Sequence, residues 1–379
     1  MKFIHLSDLH LGKRVNEFSM LEDQRYILGQ ILDIIREEQP DAVLVAGDVY
    51  DKSVPSAEAT QLFDQFLVSL VAARTPVYII SGNHDSAERL AFGGRIMQAS
   101  QVYLSPVYDG RVEPLTLEDE HGPVDLWLLP FLKPSHVRRF YPEEELDSYN
   151  AAMALAIREM KVDPSRRNIL MTHQFVAGAE QCESEEVTVG GTDGVAVELF
   201  RDFDYVALGH LHGPQKVGRE TVRYCGSPLK YSFSEADQEK SVTLVELGAK
   251  GDVTVSTRPL TPLHEMVRLC GTFAQLSDPA FGDNARHGED YVQITLTDQD
   301  DVPDAMQELR KLYHNLMKLT YDNARTRNQQ SLLDHTAQVK RDPLDLLTEF
   351  FTIQNGQDMS DEQLEYARRL METLKEEQA

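Results

Sequence analysis

The sequence predicts an α/β fold for the N-terminal part of this 379-residue chain. Five short apolar runs rich in Val, Ile and Leu have the composition of strands buried on both faces. Stretches with the apolar spacing of helices separate the first three runs, so strands and helices alternate as in layered α/β proteins. Each run also leads into residue types that bind metals. The runs cover residues 3–6, 42–45, 77–80, 169–171 and 205–208.

Two amphipathic helices are predicted between the first three runs. One ends near Arg36, and the other begins after Pro55. Residues 102–132 are predicted to be rich in strands, and residues 149–161 to form a further helix. The apolar positions of the first two helices are Ile27, Leu28, Ile31, Ile34 and Ile35, then Leu62, Phe63, Phe66, Leu67, Leu70 and Val71.

A smaller α+β unit is predicted beyond a boundary at residues 259–262, which begin and end with proline. Strands are expected over residues 266–270 and 291–296, followed by a helix over residues 304–316. This stretch contains none of the metal-binding motifs of the first part. It is therefore not expected to be a second active site.

The C-terminal segment predicts a helical hairpin. Pro343 opens the first helix, which ends near Asn355 and Gly356. Ser360 caps the second helix, and Gln363 completes a capping-box pattern. The apolar stripes of the hairpin either fold back on their own domain or dock onto a partner. The predicted domains are residues 1–260, 261–330 and 331–379.

Eight polar residues follow the predicted strands at their carboxyl ends, where the loops of layered α/β proteins aim side chains into one crevice. They offer carboxylate, imidazole and amide donors without a thiolate. This donor set suits Mn²⁺, with Fe, Mg or Zn as competitors, and argues against a structural zinc site. Five such motifs in one chain favour a metal centre over isolated turns or helix caps. The residues are Asp8, His10, Asp48, Asn83, His84, His173, His210 and His212.

The donor set predicts two metal ions. Two ions about 3.5–4 Å apart need a bridging ligand, and Asp48 is our choice because a carboxylate has two oxygens. Such a centre attracts a phosphate ester and lowers the pKa of a water between the metals, which predicts phosphoester hydrolysis. Asp8, His10 and His212 would complete one metal site, and Asn83, His173 and His210 the other.

His84 is expected to be catalytic, because it directly follows the proposed ligand Asn83 and would not share its metal. Its role would be to protonate the departing oxygen or to stabilise charge on the phosphoryl group. Asp51, three residues after Asp48, is the expected partner that orients His84 and favours its charged form.

Five motifs together resemble the calcineurin-like metallophosphoesterase superfamily. They are DLH, GDVYD, GNHD, TH and GHLH, in that order. Their spacing and the C-terminal material are similar to one branch, the SbcD-like nuclease subunits of DNA repair, with the strongest match over residues 1–233. The resemblance implies a layered α/β-β/α sandwich with a small capping domain and a C-terminal helical hairpin. It also implies two metals, typically Mn²⁺, and the ligand and histidine roles given above.

The same resemblance implies a 3′–5′ exonuclease on duplex ends and an endonuclease on single strands and hairpins, acting in DNA repair and recombination. It implies an SbcC-like coiled-coil ATPase partner that binds the C-terminal segment and gates activity with ATP. It also implies a homodimer within a heterotetramer. The sequence itself has neither a phosphate-cradling P-loop nor heptads.

Two other functions are weighed against the nuclease. A phosphatase or nucleotide phosphodiesterase of the same superfamily is disfavoured because Lys52 and Ser53 follow Asp51, where protein phosphatases carry an arginine that clamps phosphate. Asp85 also follows His84 where those phosphatases have a glutamate. A non-catalytic scaffold is disfavoured because every expected ligand is present.

The bulk composition agrees with a cytoplasmic protein, and the resemblance to DNA-repair nuclease subunits implies that it is nucleoid-associated. Three scattered cysteines favour a reducing compartment, and the sequence has neither a secretory pattern nor a membrane-spanning run. The formal net charge of −25 opposes DNA binding, which draws on phosphate contacts by Lys and Arg. We therefore expect the chain alone to bind DNA weakly and a partner to supply much of the duplex binding.

Overall fold

The computed structural model describes residues 1–185, 194–323, 326, 344, 347, 348, 351, 359, 360 and 363–368. The strands are β1 (Lys2–Leu6), β2 (Arg14–Val15), β3 (Phe18–Ser19), β4 (Ala42–Ala46), β5 (Val77–Ile80), β6 (Val102–Leu104), β7 (Leu115–Asp119), β8 (Gly122–Leu128), β9 (Arg167–His173), β10 (Tyr205–Gly209), β11 (Gln215–Val217), β12 (Arg219–Tyr224), β13 (Ser241–Leu247), β14 (Val253–Pro259), β15 (Met266–Gly271), β16 (Tyr291–Leu296) and β17 (Asn315–Tyr321). The helices are α1 (Leu21–Glu38), α2 (Ala57–Ala72), α3 (Ala87–Leu90), α4 (Gly94–Met97), α5 (Pro134–Arg138), α6 (Tyr149–Met160), α7 (Phe273–Leu276) and α8 (Ala305–Leu309).

Two six-stranded sheets form the larger part of the described residues. The first has the order β14-β13-β1-β4-β5-β6, and the second has the order β11-β12-β10-β9-β8-β7. Strands β1, β4, β5 and β6 are parallel neighbours in the first sheet. In the second sheet β8, β9, β10 and β12 are parallel neighbours. All five strands predicted from the apolar runs are therefore inner strands of the two sheets.

The two sheets pack face to face and carry helices on their outer faces. Large apolar side chains from both sheets fill the space between them, including Phe3, Ile80, Met171 and Tyr205. Helices α1 and α2 cover the first sheet, and α6 covers the second. Burial on both faces explains why the inner strands are apolar throughout instead of alternating. The predicted layered α/β-β/α architecture is confirmed.

The first two helices follow the predicted apolar spacing. In α1 the buried face includes Ile27, Ile31 and Ile35. In α2 the side chain of Ser56 accepts a hydrogen bond from the Ala59 N–H, so Ser56 caps the helix directly after Pro55.

The smaller unit is a three-stranded parallel sheet, in the order β15-β16-β17, with its own apolar core. The predicted strands at β15 and β16 are present. The predicted helix over residues 304–316 is wrong beyond Leu309, because residues 315–321 form β17 and pair with β16. Sheet pairing outweighs the helical spacing of the apolar residues there. Asp23 of α1 accepts hydrogen bonds from His264 and Tyr291, which joins this unit to the first sheet's helical layer.

Only parts of the predicted C-terminal hairpin lie within the described residues. Ser360 and Gln363 form the predicted capping box, in which each backbone N–H is bonded by the other residue's side chain. Most of residues 331–379 lies outside the described part of the chain. Among the helices that the structure describes, none has the length and apolarity needed to cross a membrane.

Candidate metal centre

The carboxyl ends of five parallel strands meet at one edge of the two-sheet sandwich. Asp8 and His10 follow β1, Asp48 follows β4, and Asn83 and His84 follow β5. From the second sheet, His173 ends β9, and His210 and His212 follow β10. The structure brings all eight predicted residues together in one place. Five of them are almost fully buried: Asp8, His10, Asp48, His173 and His212 are at most 2% exposed.

The loops that carry these residues hold strained backbone conformations. Asp8, His10, Asp48 and His210 all have positive φ values, between 44° and 108°. Such values are uncommon for residues with a side chain, and they occur where the surrounding structure enforces them. Here the loops after β1 and β4 bond to each other, since the Asp8 N–H donates to Gly47 O and the His10 N–H donates to Asp48 O. The strain is concentrated on the proposed ligands, as at other functional sites.

Asp48 lies at the centre of the cluster. Its Oδ2 atom is 3.2 Å from His173 Nε2, 3.7 Å from His10 Nε2 and 4.0 Å from His84 Nε2. Its Oδ1 atom accepts a hydrogen bond from the His84 backbone N–H at 2.9 Å. The carboxylate therefore contacts side chains from both sheets, which is the position that a bridging ligand requires.

His173 places a lone pair against two other electron-rich atoms. Its Nδ1 lies 2.8 Å from the Ala46 carbonyl oxygen and donates to it, which leaves Nε2 unprotonated in the neutral ring. That Nε2 is 3.2 Å from Asp48 Oδ2 and 3.0 Å from Asn83 Oδ1, and neither oxygen can donate a hydrogen bond. His210 Nδ1 is also 3.0 Å from Asn83 Oδ1. A cation or an extra proton is needed to hold these atoms together.

His10 and His212 also bring two metal-binding nitrogens close together. His10 Nε2 and His212 Nε2 are 3.1 Å apart. The Nδ1 of His212 contacts Ser184 Oγ at 2.8 Å and the Glu235 carboxylate at 3.4 Å. A carboxylate behind a histidine fixes the ring and its tautomer, which leaves Nε2 as the metal-binding atom.

The electrostatics favour cation binding. Burial lowers the pKa of His10 well below its usual value and lowers that of His210 to about 3, so these rings are neutral. Burial would raise the pKa of Asp48, but the charge and the hydrogen bond of His173 outweigh burial and lower the pKa, so the carboxylate is ionised. Burial would lower the pKa of His173, but Asp48 raises it to about 9. The site thus stabilises positive charge beside Asp48, where a divalent ion would take the place of the proton.

His84 differs from the buried histidines in its exposure. Its side chain is 17% exposed, against 2% or less for His10, His173 and His212. It lies close enough to His10 and Asp48 for the three side chains to share one ion. We nevertheless keep it apart from the ligands, because its Nε2 is farther from Asp48 Oδ2 than either neighbouring ring nitrogen.

The predicted contact between His84 and Asp51 is present, but it uses a different atom. His84 Nδ1 lies 3.0 Å from the main-chain carbonyl oxygen of Asp51. The Asp51 carboxylate instead bonds to Lys13 Nζ at 2.8 Å and lies 3.7 Å from His10 Nδ1. The contact that orients His84 is therefore made by the Asp51 main chain and not by the Asp51 carboxylate, which bonds to Lys13.

Close packing in the centre excludes side chains at two glycines. A Cβ on Gly209 would lie 1.8 Å from the Ala46 carbonyl oxygen and 2.6 Å from His173 Nδ1. A Cβ on Gly82 would lie 2.1 Å from Asp48 Oδ1. Both glycines are needed because the backbone approaches the proposed ligands too closely for any other residue.

Two supporting groups were not predicted from the sequence. The first is Asp85, whose carboxylate accepts hydrogen bonds from the N–H groups of Val49, Tyr50 and Gly82 and so ties the loop after β5 to the loop after β4. Burial raises the pKa of Asp85 to about 6. The signal that could have found it is its place in GNHD, directly after His84.

The other group lies behind His212. Glu235 is fully buried and pairs with Lys240 at 2.6 Å, and Ser184 donates to the same carboxylate at 2.6 Å. Burial would raise the pKa of Glu235, but hydrogen bonds and charge from His212 and Lys240 lower it. Lys240 also donates to the His212 carbonyl oxygen at 2.9 Å. No motif spacing links Glu235 to His212, so this contact has little signal in the sequence.

Two family models match this chain. Residues 1–214 match the calcineurin-like phosphoesterase family. Residues 262–355 match a family described as the type 5 capsule protein repressor C-terminal domain. Among solved structures, a dimetal phosphatase from Danio rerio is similar over 68% of this chain and 96% of its own length, with 11% identity and a TM-score of 0.39.

Two curated relatives, both the SbcD subunit of the SbcCD nuclease, match along their full length. The protein from Staphylococcus epidermidis is 30% identical, over 98% of this chain and 98% of its own length. The protein from Staphylococcus saprophyticus is 32% identical, over 100% of this chain and 99% of its own length. The donor cluster, which suits two divalent metal ions, agrees with these matches. The chain belongs to the calcineurin-like phosphoesterases and, within them, to the SbcD family of nuclease subunits.

Proposed function

We infer that this chain is the metal-dependent nuclease subunit of an SbcCD-like complex and hydrolyses DNA phosphodiesters. The observation that carries this proposal is the convergence of Asp48, Asn83 and His173 at the edge where both sheets end, where the site stabilises a positive charge that a divalent ion would supply in place of a proton. The match to nuclease subunits along the whole chain supports DNA as the substrate. By resemblance the activities are a 3′–5′ double-strand exonuclease and a single-strand and hairpin endonuclease in repair and recombination.

The proposed ligands divide into two groups that share Asp48. Asn83 joins His173 and His210 through its Oδ1 atom, and the close pair of His10 and His212 faces Asp8. Oxygen and imidazole donors suit Mn²⁺, which we propose as the metal. Asp8, His10, Asp48 and His212 would hold one ion, and Asp48, Asn83, His173 and His210 the other.

In the proposed reaction, His84 is the residue that supplies a proton to the leaving group. When bound, two divalent ions would withdraw charge from the phosphodiester and lower the pKa of an attacking water. His84 donates its Nδ1 proton to the Asp51 carbonyl, so its Nε2 is the atom that faces Asp48. We assign to His84, in the imidazolium form with a proton on each ring nitrogen, the delivery of its Nε2 proton to the departing sugar oxygen as the phosphorus–oxygen bond breaks, which leaves the neutral ring with its Nδ1 proton. The main-chain contact fixes the ring for that transfer.

The partners follow from the same family match. An SbcC-like coiled-coil ATPase would bind residues 331–379 and make cleavage depend on ATP, and residues 261–330 would form the capping domain over the nuclease domain, residues 1–260. The separate apolar core of the small sheet supports that division. The net charge of −25 opposes tight duplex binding by the chain alone and so favours a DNA-binding partner. The location that suits this substrate is the cytoplasm, at the nucleoid.

A homodimer within the heterotetramer is part of the proposal. Two large apolar side chains are exposed to solvent in this segment: Phe92, between α3 and α4, is 83% exposed, and Ile96, within α4, is 81% exposed. Exposed apolar groups of this size in one short segment favour association with another protein surface. A second copy of the chain is the partner we propose for this patch.

A substrate panel tests the function. The purified chain with Mn²⁺ is incubated with linear duplex DNA, a DNA hairpin, a phosphopeptide and a cyclic nucleotide. The proposal requires cleavage of DNA, and hydrolysis confined to the phosphopeptide or cyclic nucleotide would establish a phosphatase or phosphodiesterase instead. Failure to bind any divalent ion, measured by elemental analysis after dialysis, would establish a scaffold.

Removing the residues after Asp342 should spare Mn²⁺-dependent cleavage and abolish copurification with the ATPase.

A further inference from the structure

A cavity of about 400 Å³ adjoins the metal centre and is used by none of the proposed catalytic steps. Its lining includes Gly82 and Asn83, which places it directly beside one group of proposed ligands. We call it the 131–140 groove. The side chains that give it its chemistry are Tyr108, Phe131, Lys133, His136, Arg139 and Phe140.

Aromatic rings form part of the wall of the groove. Phe131 lies with its ring centroid 6.2 Å from that of His173, at an interplanar angle of 84°. Phe140 is 39% exposed, packs against Tyr108 at 5.9 Å, and carries the Arg139 guanidinium 5.7 Å from its ring centroid. An exposed ring with a guanidinium over it is a surface on which a nucleobase can stack.

The groove also carries free positive charge. Lys133 and Arg139 form no ion pair with any residue in the described part of the chain. The lysines nearer the metal ligands differ, since Lys13 and Lys240 are each paired with a carboxylate. In a chain of net charge −25, two unpaired cations in one groove favour an anionic ligand there.

The carboxylates in the lining already have hydrogen-bond donors of their own. Glu88 is exposed and accepts a hydrogen bond from Ser86. Asp85 accepts hydrogen bonds from three backbone N–H groups in the loops after β4 and β5. Neither carboxylate is paired with Lys133 or Arg139, so both cations are left to contact a phosphate.

We propose that the 131–140 groove binds an unpaired nucleotide of single-stranded DNA next to the scissile phosphate, with its base on the Phe140–Arg139 surface and its phosphate at Lys133 and Arg139. The proposal rests on the nuclease function inferred above and adds the subsite that positions the strand. The volume suits one small-molecule-sized group and not a duplex, whose bases are shielded within the stack. Stacking without base-edge contacts makes the subsite tolerant of sequence.

Two substrates separate this subsite from the catalytic centre. The full chain with Mn²⁺ is assayed on a single-stranded oligonucleotide and on bis(p-nitrophenyl) phosphate, which has no base and no flanking phosphate. The variants are Lys133→Glu with Arg139→Glu, and separately Phe140→Leu, which keeps apolar packing on Tyr108 but removes the ring. Arg74→Glu, which reverses one charge where the double variant reverses two, is the remote charge control, because Arg74 is exposed and lies before the amino end of β5, at the opposite end of the strand from Asn83.

The double variant should raise KM for the oligonucleotide about tenfold or more and leave hydrolysis of bis(p-nitrophenyl) phosphate unchanged. In the double variant, the slope of log KM against the logarithm of the salt concentration should fall by about 1.4, because two single-strand phosphate contacts are lost. Phe140→Leu should raise the same KM by about fivefold or more. Arg74→Glu should match the wild type on both substrates.

Wild-type KM for the oligonucleotide in the double variant and in Phe140→Leu would overturn the subsite while leaving the nuclease function intact. An equal rise in KM in Arg74→Glu would also overturn it, because the effect would then reflect net charge alone. If the wild type hydrolyses bis(p-nitrophenyl) phosphate and no DNA, both the function and the subsite are wrong.

Discussion

His84 Nδ1 donates to the main-chain carbonyl oxygen of Asp51, 3.0 Å away, while the Asp51 carboxylate bonds to Lys13. The orientation of the proposed catalytic ring thus depends on the loop backbone and not on an acidic side chain. Substitutions at His84 and at Asp51 should therefore have different effects.

Replacing His84 with Gln should reduce DNA cleavage by about 10²–10⁴-fold while metal binding survives, because the proton donor is lost and no assigned ligand is removed. Cleavage rates and metal content by elemental analysis measure the two effects. His121→Gln, at an exposed histidine far along the chain from every motif, is the control. Loss of bound metal in His84→Gln would show that His84 is a ligand.

Asp51→Asn should keep cleavage within about tenfold of the wild type, because the carbonyl that orients His84 is unchanged and an amide still bonds to Lys13. Steady-state cleavage of the same DNA measures this. A loss as large as that of His84→Gln would restore the carboxylate dyad that the contacts argue against.

The buried pair of Glu235 and Lys240 should matter for folding and for metal affinity. Lys240→Met leaves a fully buried carboxylate unpaired, which we expect to destabilise the chain by about 3–5 kcal/mol in urea unfolding. Glu235→Gln should weaken metal binding by about 10–100-fold, because His212 loses the carboxylate behind it. Lys216→Met, which breaks the exposed pair with Glu220, should leave both quantities unchanged. Unchanged metal affinity in Glu235→Gln would remove the supporting role.

The eight proposed site residues could be found from the sequence because each ends or follows a buried strand, and parallel strands bring their carboxyl ends to one edge. The backbone partner of His84 could not, since a carbonyl belongs to every residue and leaves no side-chain pattern. Glu235 was missed because it lies 23 residues beyond His212 and reaches it only through the folded loops. Strand β17 was missed because its pairing with β16 is set by the sheet and not by local spacing.

Gly209→Ala should disrupt the centre, because the added methyl group would overlap the Ala46 carbonyl that orients His173. We expect reduced metal content and a lower midpoint of thermal unfolding. Gly29→Ala is the matched control, since a Cβ there meets no atom within 4 Å, and in the interior of α1 it should stabilise the fold by about 0.5–1 kcal/mol. Normal metal content in Gly209→Ala would contradict the claim that the backbone at Gly209 lies too close to the Ala46 carbonyl for a side chain.

Anomalous scattering at the manganese edge, from crystals of the full chain grown with Mn²⁺, tests the central claim most directly. We predict two peaks on either side of Asp48, one against Asp8, His10 and His212 and the other against Asn83, His173 and His210. A map without peaks there, or with manganese bound away from Asp48, would contradict a binuclear centre in this chain.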